Sequence, residues 1–146
     1  MRSAGLILRL LAIYLLSASC QWISPKEKCF SESQTVSDAY ELAVGRWQLT
    51  SIKSGWTGNI TQPTEPAELI IDNDHMGVVM QQGKEVMRFN LVLTKVYESI
   101  QFTAADRTAN LIYLLPPQGN FRSCTDELVF DDTYVDGPAL IYQKIK

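Results

Sequence analysis

The connections Asn73-Asp74, Gln82-Gly83 and Asp136-Gly137 separate short apolar runs by little more than a dipeptide, and links that short join only antiparallel neighbours. Between them the apolar residues repeat with period two. The repeat is clearest in Met87, Phe89, Leu91 and Leu93, with Arg88, Asn90 and Val92 in between, and it recurs in Ile100 with Phe102 and in Leu128 with Phe130. Strands are predicted at 46–53, 67–72, 75–82, 85–94, 98–104, 109–115, 126–131 and 138–145, about eight in all. An even number of short strands joined in sequence closes most economically as a barrel, because closure removes the unpaired edges of an open sheet. The expected fold is all-β, an eight-stranded antiparallel up-and-down β-barrel, with a two-sheet sandwich as the alternative.

The stretch Ser37 to Val44 is predicted to precede the barrel as a short helical turn. Asp38 is read as its N-cap, with Glu41 three residues on completing a capping box and Gly45 ending the turn. Tyr40, Val44 and Leu42 are expected to face the barrel. Trp47, at the start of the first strand, covers a wide apolar area while its N–H can still reach a polar partner, so it is expected to plug the barrel's closed end.

Residues 1–19 have the form of an export leader. Arg2 and Arg9 give a basic start, Leu10 to Leu16 form an uncharged apolar run, and Ser17-Ala18-Ser19 precede Cys20. The apolar run is roughly half of the ~20 residues a membrane-spanning helix needs. Leu16-Ser17-Ala18-Ser19-Cys20 resembles a bacterial lipobox, which implies acylation of Cys20; the same small residues also suit ordinary signal cleavage. Gln21 follows where some bacteria use Asp to mark inner-membrane retention, so the expected address is the outer membrane, on its periplasmic or surface face.

An odd number of cysteines in an exported chain calls for one with a separate fate. Acylating Cys20 leaves Cys29 and Cys124, and a bridge between them is predicted to contribute about 4 kcal/mol in the chain-entropy model. Two free thiols are the alternative. The chain thus divides into a lipoprotein signal peptide at 1–19, a polar tether at 20–36 and one domain at 37–146.

Charge narrows the partners. The formal net charge of -3 includes Arg2 and Arg9, and without them eleven bases face sixteen acids, a net of -5. Nucleic-acid binding needs a basic face and is not expected. Catalysis has little to work with: His75 is the single histidine, beside Asp72 and Asp74, and no serine is placed to complete a triad. Glu127, Asp131, Asp132 and Asp136 match no loop of fixed calcium-ligand spacing and read as a solvated acidic hairpin. No enzyme activity, cofactor or metal is expected.

Gly45-Arg46-Trp47 leading an eight-stranded meander, a long loop after the first strand, and the ending Asp136-Gly137-Pro138-Ala139-Leu140-Ile141-Tyr142-Gln143-Lys144 together resemble the lipocalin-like lipoproteins of Bacteroidota, within the calycin group. The resemblance covers most of the mature chain. It implies a membrane-anchored barrel in which the Gly-x-Trp tryptophan packs under a basic side chain of the last strand, here Lys144 or Lys146. An eight-stranded barrel has room inside for side chains or for one small ligand. Leu49, Val78, Met80, Phe89, Phe102, Leu111, Tyr113, Tyr142 and their neighbours are expected to line the interior, mostly as packed core. For a ligand the candidate contacts are Trp56, on the loop from Ser54 to Pro66, with Phe89, Phe102, Tyr113 and Tyr142; Trp56 packed down as a simple lid is the alternative. Two functions stand side by side: an anchored module binding a small apolar molecule at the barrel mouth, and a structural or interaction domain of the envelope with a filled barrel.

Overall fold

The computed structural model describes residues 35–146. A helix, α1 (Val36–Ala43), leads into strands β1 (Gly45–Ser54), β2 (Ile60–Thr61), β3 (Ala67–Ile71), β4 (Met76–Gln81), β5 (Lys84–Val96), β6 (Ser99–Ala105), β7 (Gln118–Ser123), β8 (Glu127–Asp131) and β9 (Pro138–Lys144). The strands pair in the order β2-β1-β3-β4-β5-β6-β7-β8-β9, and β1 also pairs with β9. All pairings are antiparallel. The sheet therefore closes on itself as an eight-stranded up-and-down barrel, with the two-residue β2 appended to the outer half of β1.

The helix begins one turn before its expected start. Thr35, rather than Asp38, is the N-cap: its hydroxyl accepts from the Asp38 N–H at 3.1 Å and the Asp38 carboxylate accepts from the Thr35 N–H at 3.0 Å. The capping box thus pairs a Thr with an Asp at N3, and these bonds hold the Asp38 carboxyl below the usual carboxylate range. The earlier start turns Ala39 and Ala43 into the barrel end as its fully buried contacts. Tyr40 sits beside them and clips the helix to β5, its hydroxyl donating to the Leu91 carbonyl at 3.2 Å and accepting from the Leu93 N–H at 2.7 Å.

Seven of the eight expected strands lie within about two residues of observed ones, and one does not exist. Residues 109–115 form turns rather than a strand, and the sixth strand of the ring is β7, at Gln118–Ser123. Leu111, Tyr113 and Leu115 imitate a strand's alternation, but the Pro116-Pro117 pair ends the run, and Pro donates nothing to a ladder. The segment that does pair carries only Phe121 as a large apolar residue.

A second correction concerns β4. Gly77 and Val79 point inward while Val78 and Met80, expected in the interior, lie on the outer face. Phe89 sets this phase: it pairs with Gly77 across the ladder, and a Cβ on Gly77 would lie 2.1 Å from its ring. The glycine makes room for the aromatic ring, and apolar counting cannot detect a glycine's role.

The interior is occupied by side chains. Trp47, Leu49, Leu69, Met87, Phe89, Phe102, Leu128, Phe130 and Tyr142 are each 2% exposed or less. A run of rings crosses it, with Phe102 and Tyr142 meeting Phe130 edge-on at centroid separations of 4.9 and 5.9 Å and Phe121 tilted against Phe130 at 5.1 Å. Edge-to-face contacts of this kind add to the area the rings bury.

Candidate functional site

The strand registers define the barrel's two ends. Gly45 pairs with Ile71 and Trp47 with Lys144 at the end nearest α1, whereas Ser54 pairs with Pro138 and Ala67 with Gln81 at the other. Trp47 plugs the first end. It is fully buried, its indole N–H donates to the Ala43 carbonyl at 2.8 Å, and the Lys144 Nζ stands 5.0 Å from the ring centroid. An ammonium at that distance is attracted by the ring quadrupole, without the flat stacking an Arg would add. Gly45 keeps this corner open, since a Cβ there would lie 3.2 Å from Lys144 Cε.

The mouth is closed by the segment 106–117, which takes the place of the missing strand. Leu114, Leu115 and Pro116 are buried in it. Its turn is held by the Leu114 and Leu115 N–H groups, both donating to the Leu111 carbonyl at 3.0 Å, and it is tied to the sheet by Thr108 N–H to the Arg88 carbonyl at 2.9 Å and Ala104 N–H to the Pro117 carbonyl at 2.8 Å. From below, the Tyr142 hydroxyl donates to the Leu114 carbonyl and the Arg107 guanidinium donates to the Leu115 carbonyl at 2.9 Å, with Met87 Sδ 3.6 Å away. Burial raises the Tyr142 pKa and lowers that of Arg107. Arg107 has no ion-pair partner among the described residues.

Between this plug and the 55–66 loop lies a groove of about 250 Å³, walled by Leu49, Ile52, Pro63, Tyr113 and Leu114, with Thr64, Glu65 and Gln81 at its edge. Of the five residues expected to meet a ligand, Tyr113 alone lines it. Phe89, Phe102 and Tyr142 belong to the packed core, and Trp56, neither a groove wall nor a packed lid, is 80% exposed. Leu49, Ile52 and Leu114 are the site residues that their sequence context hides as ordinary core. Two larger clefts lie outside the barrel. One, of about 350 Å³, runs over the outer faces of β1, β3 and β4 beside the Arg46–Glu68 ion pair; the other, of about 360 Å³, lies against α1, where the Tyr40 and His75 rings stack at 3.7 Å.

The acidic residues do not converge. Asp72 holds its own turn, accepting from the Asp74 and Met76 N–H groups at 2.9 Å, and Glu127 pairs with Arg122 and Gln143. Asp136 ends the short 3-10 turn Thr133–Val135 in the left-handed region. Among the described residues no group of three or more His, Cys, Asp or Glu is placed to hold a metal ion. Asp132 departs from the solvated hairpin expected: it is 8% exposed, and its Oδ1 has no hydrogen-bond partner among the described residues. Burial, with the Asp131 charge adding to it, raises its pKa. A raised folded-state pKa means that the protonated carboxyl suits the site, so the stability it contributes is present in acid and lost as pH rises through that value. Asp132→Asn is therefore expected to stabilise the domain by roughly 1 kcal/mol at pH 7 and by less as Asp132 protonates in acid, read from melting temperatures across that range.

The expected leader at 1–19, Cys20, which is expected to be acylated, Trp22 and Cys29 lie outside the described residues. Cys124 is buried and disulfide-bonded, its partner also outside them. No helix of the described residues is long and apolar enough to cross a membrane.

Fold and site together define a small closed antiparallel up-and-down barrel, with a filled interior and a groove at its mouth lined by both apolar and polar residues. No family model matches the chain, and no curated protein matches it. Among solved structures, a lipocalin-like protein from Bacteroides uniformis is similar to it, with 13% identity and a TM-score of 0.49, covering 71% of this chain and 99% of its own.

Proposed function

We propose that the protein is a lipid-anchored barrel of the bacterial envelope that is not an enzyme and takes a small apolar molecule in its mouth groove. Leader 1–19 would export it and an acylated Cys20 would hold it to the outer membrane. The observation that carries the ligand reading is the groove itself, which sets five apolar residues beside Thr64, Glu65 and Gln81 and is continuous with the core through Leu49 and Leu114. At about 250 Å³ it falls just under the ~300–1,000 Å³ of most small-molecule sites, which points to a ring or a short chain. The filled interior favours a second reading, a structural or interaction domain with no small ligand.

Two measurements separate these readings. Native mass spectrometry of protein extracted from membranes is expected to show an acylated Cys20 and a co-purifying apolar molecule; Cys20→Ser is expected to move the domain to the soluble fraction with its fold intact. An apolar fluorescent probe should bind, and Tyr113→Ala, on a half-exposed side chain, should weaken binding roughly tenfold without lowering stability. If nothing co-purifies and Tyr113→Ala leaves probe binding unchanged, the filled-barrel reading replaces the first. A Cys20→Ser protein still held in the membrane by an uncleaved leader would remove the anchor.

A further inference from the structure

Six large apolar side chains stand exposed on three loops at the mouth end of the barrel. Trp56 and Ile60 lie on the 55–66 loop, Ile112 and Tyr113 on 106–117, and Tyr134 and Val135 on 132–137, each more than half exposed. The 55–66 and 132–137 loops meet where Ser54 pairs with Pro138 and a Cβ on Gly55 would lie 2.3 Å from the Gly137 carbonyl, and the 55–66 and 106–117 loops share the groove between Pro63 and Tyr113. One exposed apolar residue needs no explanation, but convergence of separate loops on one rim does.

We propose that this rim docks the protein on a lipid surface with neutral headgroups, Trp56, Tyr113 and Tyr134 lying at headgroup level and Ile60, Ile112 and Val135 reaching below it. Three features select this occupant. Trp and Tyr, apolar in body and polar at one edge, are the residues that favour the interface between headgroups and acyl chains. The side chains project from separate loop tips, so a protein partner would need a matching pocket for each, whereas a bilayer accepts each independently. The three loops carry Glu65, Asp106, Asp132 and Asp136 against the single cation Arg107, whose guanidinium turns into the plug, so the rim offers nothing to an anionic surface. Docked this way, the groove beside Tyr113 faces the bilayer, and an apolar molecule would enter without crossing water. The rim contact does not depend on acylation of Cys20 but is reversible, so a Cys20→Ser chain still leaves washed membranes for the soluble fraction; Thr35, with α1, lies at the opposite end of the barrel.

The test uses the full chain carrying Trp22→Phe, which leaves Trp47 and Trp56 of the three tryptophans. It is mixed with phosphatidylcholine vesicles whose acyl chains carry bromine. Trp56 is expected to shift to the blue and to be quenched by bromine, while buried Trp47, identified with a further Trp56→Phe variant, stays unchanged. Ile112→Ser with Tyr134→Ser should lower rim binding roughly tenfold or more at unchanged melting temperature, and adding phosphatidylglycerol should not strengthen it. A Trp56 that stays open to aqueous iodide on vesicles the chain has already bound overturns the proposal and leaves the anchor untouched. Shielding that follows protein concentration rather than lipid also overturns it, and assigns the rim to a second copy of the chain.

Discussion

Trp47→Ala is expected to cost roughly 3–5 kcal/mol, a large fraction of the ~5–15 kcal/mol that holds a domain of this size together. Trp47 is the largest fully buried side chain, and its removal opens a cavity at the barrel end, leaves the Ala43 carbonyl without its donor and strips Lys144 of the ring beneath it. The site has little means of collapsing, because ladder partners on both sides fix β1: Leu69 across β3 and Lys144 across β9. Trp56→Ala is the natural control. With that ring 80% exposed, the change is expected to move stability by less than about 1 kcal/mol. Urea melts of the two variants decide the matter, and equal losses would mean that Trp47 is no plug.

The second large effect comes from adding a methyl group rather than removing a ring. Gly77→Ala would put a Cβ 2.1 Å from Phe89 Cζ and 2.4 Å from Cε1, far inside contact distance. Neither partner has room to yield, since Phe89 is 1% exposed and Gly77 is held in the ladder between β3 and β5. A loss of roughly 2–3 kcal/mol is expected, at the upper end for overpacking. Phe89→Leu should recover part of it in the double variant, because the two residues compete for the same space. Additive losses in that cycle would show that Gly77 is required for some other reason. Gly83→Ala, in a turn with nothing within 4 Å of the new Cβ, should cost only the strain of its positive φ, about 1 kcal/mol.

Most of the barrel is legible in the sequence, because strands buried on one face must alternate and tight turns must join neighbours. That logic places β1, β3, β5, β6, β8 and β9, together with the inward set Leu49, Leu69, Phe89, Phe102 and Tyr142. It misplaces Val78 and Met80 because the residue that fixes the phase of β4 is a glycine, whose role depends on Phe89 in the next strand. It misses β7 for a related reason. Gly119 and Ser123 face inward there as small residues, a pattern without apolar signal, while Leu111 to Leu115 offer a strong one that serves a plug. The candidate site suffers most from this exchange. With 109–115 taken as a strand, the mouth appears open and Trp56 the obvious visitor to it; with the segment folded over the mouth, the groove moves to its flank and only Tyr113 is shared. Turn chemistry is read well where the φ values demand it, as at Gln82 and Gly83, both positive. The buried carboxyl of Asp132 leaves no trace in a stretch that reads as uniformly acidic.

The pairing of β1 with β9 matters for how the chain folds as well as for its final shape. Every other junction of the ring joins neighbours in sequence and can form as soon as a hairpin turns, but the ladder from Trp47–Lys144 to Ser54–Pro138 links residues from the two ends of the domain. Closing so long a loop carries an entropy penalty that no local contact offsets beforehand, and such non-local pairings slow folding. Until Pro138–Lys144 is available, β1 keeps its edge from Trp47 to Ser54 open, because β3 and the two residues of β2 lie on its other side. A growing chain would therefore carry its most aggregation-prone edge at its first strand through almost the whole of synthesis.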